Sequence, residues 1–342
     1  MTNLYLPNGY LNFATIDSFH TPYNFIVGGR GTGKTFGALD YTLEQRRKFM
    51  LMRRTQTQLD IISKQEYSPL NPVAQKRGEN IVVKPLTKSN NAYYYANDEN
   101  KPSGAPIGYS TALSTIANLR GFDASGVENL IFDEFIPEPH ERKIKNEGAA
   151  FLNAYETINR NRELQGRPPL KAYLLANALE MGNPIFLELG IVQKAEKMIR
   201  SGQEISIDAK RGYTLIILTN SPISQAKSES ALYNLTKNSE FAEMAISNRF
   251  AEIDGRVKSN PLAEYRAIVA VGEITIYKHK SRVEWYVSAH RQGTPDIYQA
   301  ALVDLQRFKR AYGSLWGAYM TNKIVFESTT CEILFQKYFE NT

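Results

Sequence analysis

Residues 25–41 read FIVGGRGTGKTFGALDY: an apolar run breaks into glycines, meets a lysine and a hydroxyl, and restarts with apolar residues at helical spacing. The break matches G-x-x-x-x-G-K-S/T at Gly28, Gly33, Lys34 and Thr35, between a predicted strand and a predicted helix, which is the context this pattern requires. Glycines let successive backbone N–H groups converge on an anion at a helix N-terminus. Gly28, Gly29, Arg30, Gly31, Thr32 and Gly33 are therefore candidate contacts to a nucleotide. Lys34 is placed to neutralise β- and γ-phosphates, and the Thr35 hydroxyl to reach Mg²⁺. A glycine turn of purely structural use is the competing reading, and the Lys34-Thr35 pair weighs against it.

A nucleotide site with Mg²⁺ needs a carboxylate at the end of a neighbouring strand, and NLIFDEF supplies Asp133 after an apolar run. Glu134 follows directly, where a carboxylate can polarise water for attack on a γ-phosphate. AYLLANA ends at Asn177, which either contacts the γ-phosphate or makes a hydrogen-bonded turn before Asn183-Pro184. ETINRNRELQGR places Arg160 and Arg162 at the end of a helical pattern. There they either complement the helix dipole or reach a neighbouring subunit's nucleotide as an arginine finger.

From residue 24 to about 220, the short apolar runs NFIVG, FMLMRR, NLIFDEF, KAYLLANA and YTLIILT alternate with amphipathic stretches, as parallel strands joined by helical crossovers do. Helices are expected from Gly33 to Lys48 and over residues 146–163. The room between Lys34 and Asp133, with FMLMRR as an intervening strand, suggests the additional-strand class of P-loop NTPase. KPLTKSNNAYYYANDENKPSGAPIGYS reads as a hairpin inserted on the parallel core. Polar, mixed sequence from about Ser221 reads as a linker. The expected organisation is thus an α/β P-loop ATPase domain over residues 1–220, a linker subdomain over 221–262, and a smaller α/β domain over 263–342 with a helical pattern from Asp296 to Tyr319.

The 342 residues, 42% hydrophobic and 22% charged, suffice for one large core or two domains. No run approaches the roughly 18 apolar residues that cross a bilayer, and MTNLYLPNGYLNF lacks the basic start and apolar core of a signal peptide. The expectation is a cytoplasmic chain without a membrane partner. Cys331 is the sole cysteine, and the four histidines show no zinc-ligand spacing. The net charge of +6 permits a polyanionic partner. Arg46-Arg47-Lys48, Arg53-Arg54, Lys278/Lys280/Arg282 and Arg307/Lys309/Arg310 each read as phosphate-tracking clusters or as solvated faces.

NFIVGGRGTGKT, MLMRR, LIFDEFI, INRNRE and LLANALEMGNPIF, in this order, resemble the genome-packaging ATPases of small tailed phages with protein-primed linear DNA. The resemblance covers about the first 220 residues and extends to large terminases. It implies an ATP- and Mg²⁺-dependent ATPase, assembled as a homomeric ring thought to be pentameric. Such a ring sits on the portal vertex of a procapsid in the host cytoplasm and drives double-stranded DNA inward; a packaging RNA is an open question. Position by position, it makes Lys34 and Thr35 (Walker A) the phosphate and metal contacts, Asp133 (Walker B) the Mg²⁺-side acid and Glu134 the catalytic glutamate. Arg160 falls on the trans-acting finger, and Arg120, in NLRGFD, on a basic position implicated in contact between subunits. Gln56 stands where the family can carry a lysine that acts on the lid.

The family's C-terminal domain resembles a ribonuclease H-type nuclease that has lost its metal-binding acids. YRAIVAVGEITIY here holds Glu273 as its only acid and SRVEWYV only Glu284, so a degenerate domain that binds nucleic acid or the portal is expected, with no active nuclease. The rivals are a helicase or partition-type ATPase acting on free DNA, a small-molecule kinase, and a non-enzymatic assembly subunit stabilised by nucleotide.

Overall fold

The structure, a computed structural model, describes residues 3–119, 121–137, 141, 144–177, 183–219, 221–227, 230, 235 and 256–340. The chain divides into two compact units, residues 1–189 with 195–250, and residues 190–194 with 251–342. Most of the expected 221–262 linker lies outside the described residues, as does Arg120.

In the first unit, β1 (Tyr23–Gly28), β2 (Phe49–Arg53), β3 (Ile81–Pro85), β4 (Asn91–Ala96), β5 (Pro102–Ala112), β6 (Asn129–Asp133), β7 (Lys171–Ala176), β8 (Ile205–Asp208) and β9 (Tyr213–Leu218) build one sheet. Its order is β3-β4-β5-β2-β6-β7-β1-β9-β8. The stretch from β5 to β9 is parallel throughout; β3, β4 and β8 pair antiparallel at the two margins. Unbroken apolar runs make the central strands because crossover helices cover both faces, so Phe25, Ile26 and Val27 are all buried. The FMLMRR strand, β2, lies beyond β6. The strand interposed in space between β1 and β6 is β7.

The helices of this unit include α1 (Phe13–Asp17), α2 (Lys34–Glu44), α3 (Gln56–Ile62), α4 (Asn71–Arg77) and α5 (Glu147–Asn159). Leu39 and Leu43 of α2 pack into the core with Ile26, Ile131 and Leu175. α2 ends before the expected Lys48 because Arg46 turns left-handed at φ 54°. α5 stops at Asn159 for the same reason, since Arg160 and Asn161 both have positive φ. Asp17 joins three elements: its carboxylate accepts from Tyr41 of α2, from Arg47, and from Lys171 and Tyr173 of β7.

The second unit holds β10 (Tyr265–Val271), β11 (Ile274–His279), β12 (Trp285–Ser288), β13 (Asp296–Tyr298) and β14 (Ile324–Phe326), in the order β13-β10-β11-β12-β14. β10, β11 and β12 run antiparallel, and β13 and β14 add parallel edges. Val269, Ile276, Phe308, Phe326, Phe335 and the buried Cys331 share its core. The expected helix from Asp296 to Tyr319 is instead β13 followed by helices Leu302–Tyr312 and Ser314–Met320, interrupted at Gly313. Among the described residues, no helix is long and apolar enough to cross a membrane.

Candidate nucleotide site

In a parallel sheet the C-terminal strand ends open on one edge, where α/β folds place ligands. Here that edge carries Gly28 at the end of β1, Asp133 at the end of β6 with Glu134 after it, Asn177 after β7 and Arg53 at the end of β2. Gly33 caps α2 at φ 85°, a left-handed conformation that glycine adopts without Cβ strain; an added Cβ would also come 2.8 Å from the Tyr10 ring. A cleft of about 230 Å³ opens there, lined by Gly31, Gly33, Lys34, Thr35, Asp133, Glu134 and Asn177 among others.

Lys34 is buried, and its Nζ donates to the carbonyls of Gly28 at 2.8 Å and Gly29 at 2.7 Å, and to Thr32 Oγ1 and Asn177 Oδ1 at 3.3 Å each. The ammonium is thus held at the floor of the loop, with Asn177 beside it. Thr35 Oγ1 donates to Asp133 Oδ1 at 2.9 Å, so the hydroxyl and the carboxylate expected at a metal lie in contact. Arg30 is exposed on the loop.

Sequence reasoning missed Arg53, reading Arg53-Arg54 as a basic surface cluster. Arg53 Nη2 lies 2.8 Å from Asp133 Oδ2 and Nη1 lies 2.5 Å from Glu134 Oε2, so one guanidinium spans both acids. Neither strand's own sequence carried the signal: β2 pairs parallel with β6, Met52 opposite Phe132, and only that pairing brings Arg at one strand's end level with Asp at the other's. Arg54, on the opposite face, is fully buried and bound at both forks by Glu147, at 2.6 and 3.0 Å, and by Glu141 at 2.8 Å. Neither arginine is free to track a phosphate backbone. Glu134 itself is left-handed at φ 59°, with its side chain half exposed. Gln56, at the questioned lid position, accepts from Thr115 at 2.8 Å and donates to Asp60 at 2.8 Å.

The structure does not bring Arg160 to this cleft. Its Nη2 donates to the Phe122 carbonyl and Nη1 lies 3.7 Å from Asp123. Ser125 N–H, donated to Asp123 at 3.0 Å, holds that carboxyl below its ordinary range, so Arg160 faces an anion. Arg162 donates to the carbonyl of Val127, ahead of β6. Asp133 ends the same strand, so the length of β6, four rises of about 3.3 Å each, separates the end that Arg162 meets from the end that carries the acids. Arg160 therefore occupies the edge opposite Lys34.

Residues 7–294 match the family described as Podovirus DNA encapsidation protein (Gp16). The chain belongs to this family. Among podovirus encapsidation relatives, the DNA packaging proteins of Bacillus phages phi29 and PZA are each 26% identical to it over 238 residues, 68% of this chain. The alignment spans 63% of those two proteins, so the chain matches less than two thirds of their length. The DNA packaging protein of Bacillus phage B103 is 23% identical over 338 residues, 91% of this chain and 94% of that protein. Two solved structures share the fold. The bacteriophage Phi-29 viral genome packaging motor assembly has a TM-score of 0.66 at 19% identity, covering 96% of this chain and 98% of that one. The Phi-28 gp11 DNA packaging motor has a TM-score of 0.64 at 17% identity, covering 100% and 99%.

Proposed function

We propose that the chain is the ATP-hydrolysing subunit of a homomeric, five-membered ring that drives double-stranded DNA through the portal of a procapsid in the host cytoplasm. The observation that carries this reading is the convergence of Lys34, Thr35, Asp133 and Glu134 on one sheet edge, in a chain of the encapsidation family. The interposition of β7 between β1 and β6 supports the additional-strand class of P-loop NTPase.

The residues fit ATP with Mg²⁺. Thr35 Oγ1 and Asp133 Oδ1 are adjacent hard oxygen donors of the kind Mg²⁺ accepts beside substrate phosphates. When bound, Mg²⁺ would neutralise charge across the β- and γ-phosphates. Lys34 binds the phosphates once Nζ trades loop carbonyls for phosphate oxygens, and Asn177, already within 3.3 Å of Nζ, senses that exchange. Glu134 is the general base. Arg53 fixes its Oε2, which leaves Oε1 to take the proton from attacking water. Arg160, on the far edge, serves the adjoining subunit's nucleotide and not its own.

For the second unit we propose a degenerate nuclease-like domain that binds nucleic acid or the portal. In support, Glu284, the one acid of SRVEWYV, is taken up by the Tyr265 hydroxyl.

The test is Glu134→Gln in packaging reconstituted with purified portal-bearing procapsids. The variant is expected to retain ATP while hydrolysis and packaging fall to background; unchanged turnover removes Glu134 from the mechanism. Stimulation of the unmodified chain by free DNA alone, with none by portal-bearing capsids, would favour the helicase-like alternative.

A further inference from the structure

The turn after α5 is held in a shape that side chains resist. Arg160 and Asn161 are successive non-glycine residues with φ of 45° and 54°. Such backbone persists only where its surroundings over-determine it. Arg162, which follows the pair, is buried, 3% exposed. Its Nε donates to the Asn159 carbonyl at 3.2 Å and its Nη2 to the Val127 carbonyl at 2.6 Å. One planar fork therefore ties the last residue of α5 to the lead-in of β6, across the left-handed pair. Asn159 braces the same turn, accepting from Leu170 N–H at 2.8 Å and donating to Glu163 at 2.8 Å. The Arg160 side chain is 39% exposed, its Nη2 on the Phe122 carbonyl, whereas Arg162 is buried.

We propose that Arg162 is a positioning residue, locking the left-handed turn that aims Arg160 at the nucleotide of the adjoining copy. This rests on the reading of Arg160 as a finger that acts in trans. Arg162 touches no substrate; it removes the turn's freedom to collapse into a continued helix, which would carry Arg160 round the helix axis and away from the neighbour. An arginine suits the task because its fork can meet two carbonyls at fixed geometry, which a lysine cannot.

The full-length chain, assembled as the oligomer, tests this by subunit mixing. Arg160→Ala and Arg162→Met are each expected to lower kcat, the latter by about 10- to 100-fold, the scale of a misplacement near 1 Å. KM for ATP should stay within about two-fold, since each variant keeps its own phosphate loop. Mixing either variant with Lys34→Ala subunits, which hydrolyse nothing but carry an intact turn, should raise turnover above the sum of the separate preparations. If Arg160→Ala is not rescued, the finger reading falls and the proposal with it. If Arg160→Ala is rescued while Arg162→Met either turns over normally or stays unrescued, the finger stands and the positioning role is overturned. Should Arg162→Met fail to fold by circular dichroism, Arg162→Lys decides by the same criteria, with an intermediate kcat expected.

Discussion

Arg53 and Arg54 are neighbours in the chain with opposite fates. Alternation along a strand sends one towards the site and the other into the interior. The acids that meet them lie 80 to 93 residues later, which is why a basic dipeptide was all that the sequence displayed. Arg53→Ala should leave ATP affinity intact, by equilibrium binding, and lower kcat by about 10²-fold through loss of orientation at Glu134. Arg54→Met leaves the Glu147 carboxylate buried without its partner. Breaking such a pair costs about 3–5 kcal/mol, to be read from urea unfolding, with pairing to Glu147→Leu recovering much of the loss. That Lys34, Thr35, Asp133 and Glu134 would lie together was legible because each half of the cluster is written within a few residues, the glycine-rich turn in one stretch and the acid pair at a strand end in the other. Arg53 was not, because its role exists only across two strands.

Elements were legible wherever burial wrote a continuous apolar run, as in β1, β2, β6, β7 and β9. Their spatial order was not, because a crossover's sequence does not say which side of the sheet it returns to. Hence FMLMRR intervenes in the chain between the Lys34-Thr35 loop and Asp133-Glu134, while β7 intervenes in space. β13 escaped notice because its three residues, Asp296–Tyr298, are largely exposed and carry no pattern. At the junction of β1 and α2, one methyl group tests the geometry. Gly33→Ala adopts a left-handed backbone at about 1–2 kcal/mol and must displace the Tyr10 ring, so both the urea midpoint and fluorescent-nucleotide binding should fall.

Across the first unit, Asp17 sets a pH limit on the fold. Burial alone would raise its pKa, but hydrogen bonds from Arg47, Lys171 and Tyr41, with the charge of Lys171, hold it well below the ordinary 3.8. A carboxyl depressed in the folded state contributes stability that is complete above its unfolded pKa and is lost as pH falls below it. Thermal stability should therefore decline below about pH 4 as protons are taken up on unfolding. Asp17→Asn should lower Tm at neutral pH and flatten the acid slope, as differential scanning calorimetry would record.

The lone thiol has an experimental use. Cys331 is enclosed in the second unit's core, and burial raises its pKa, so it stays protonated and slow towards maleimides. A cysteine placed at Leu164, 86% exposed just past the Arg160 turn, would be the one reactive handle on each copy. Dyes attached there could report spacing between subunits during turnover by energy transfer, with no native residue first stripped out.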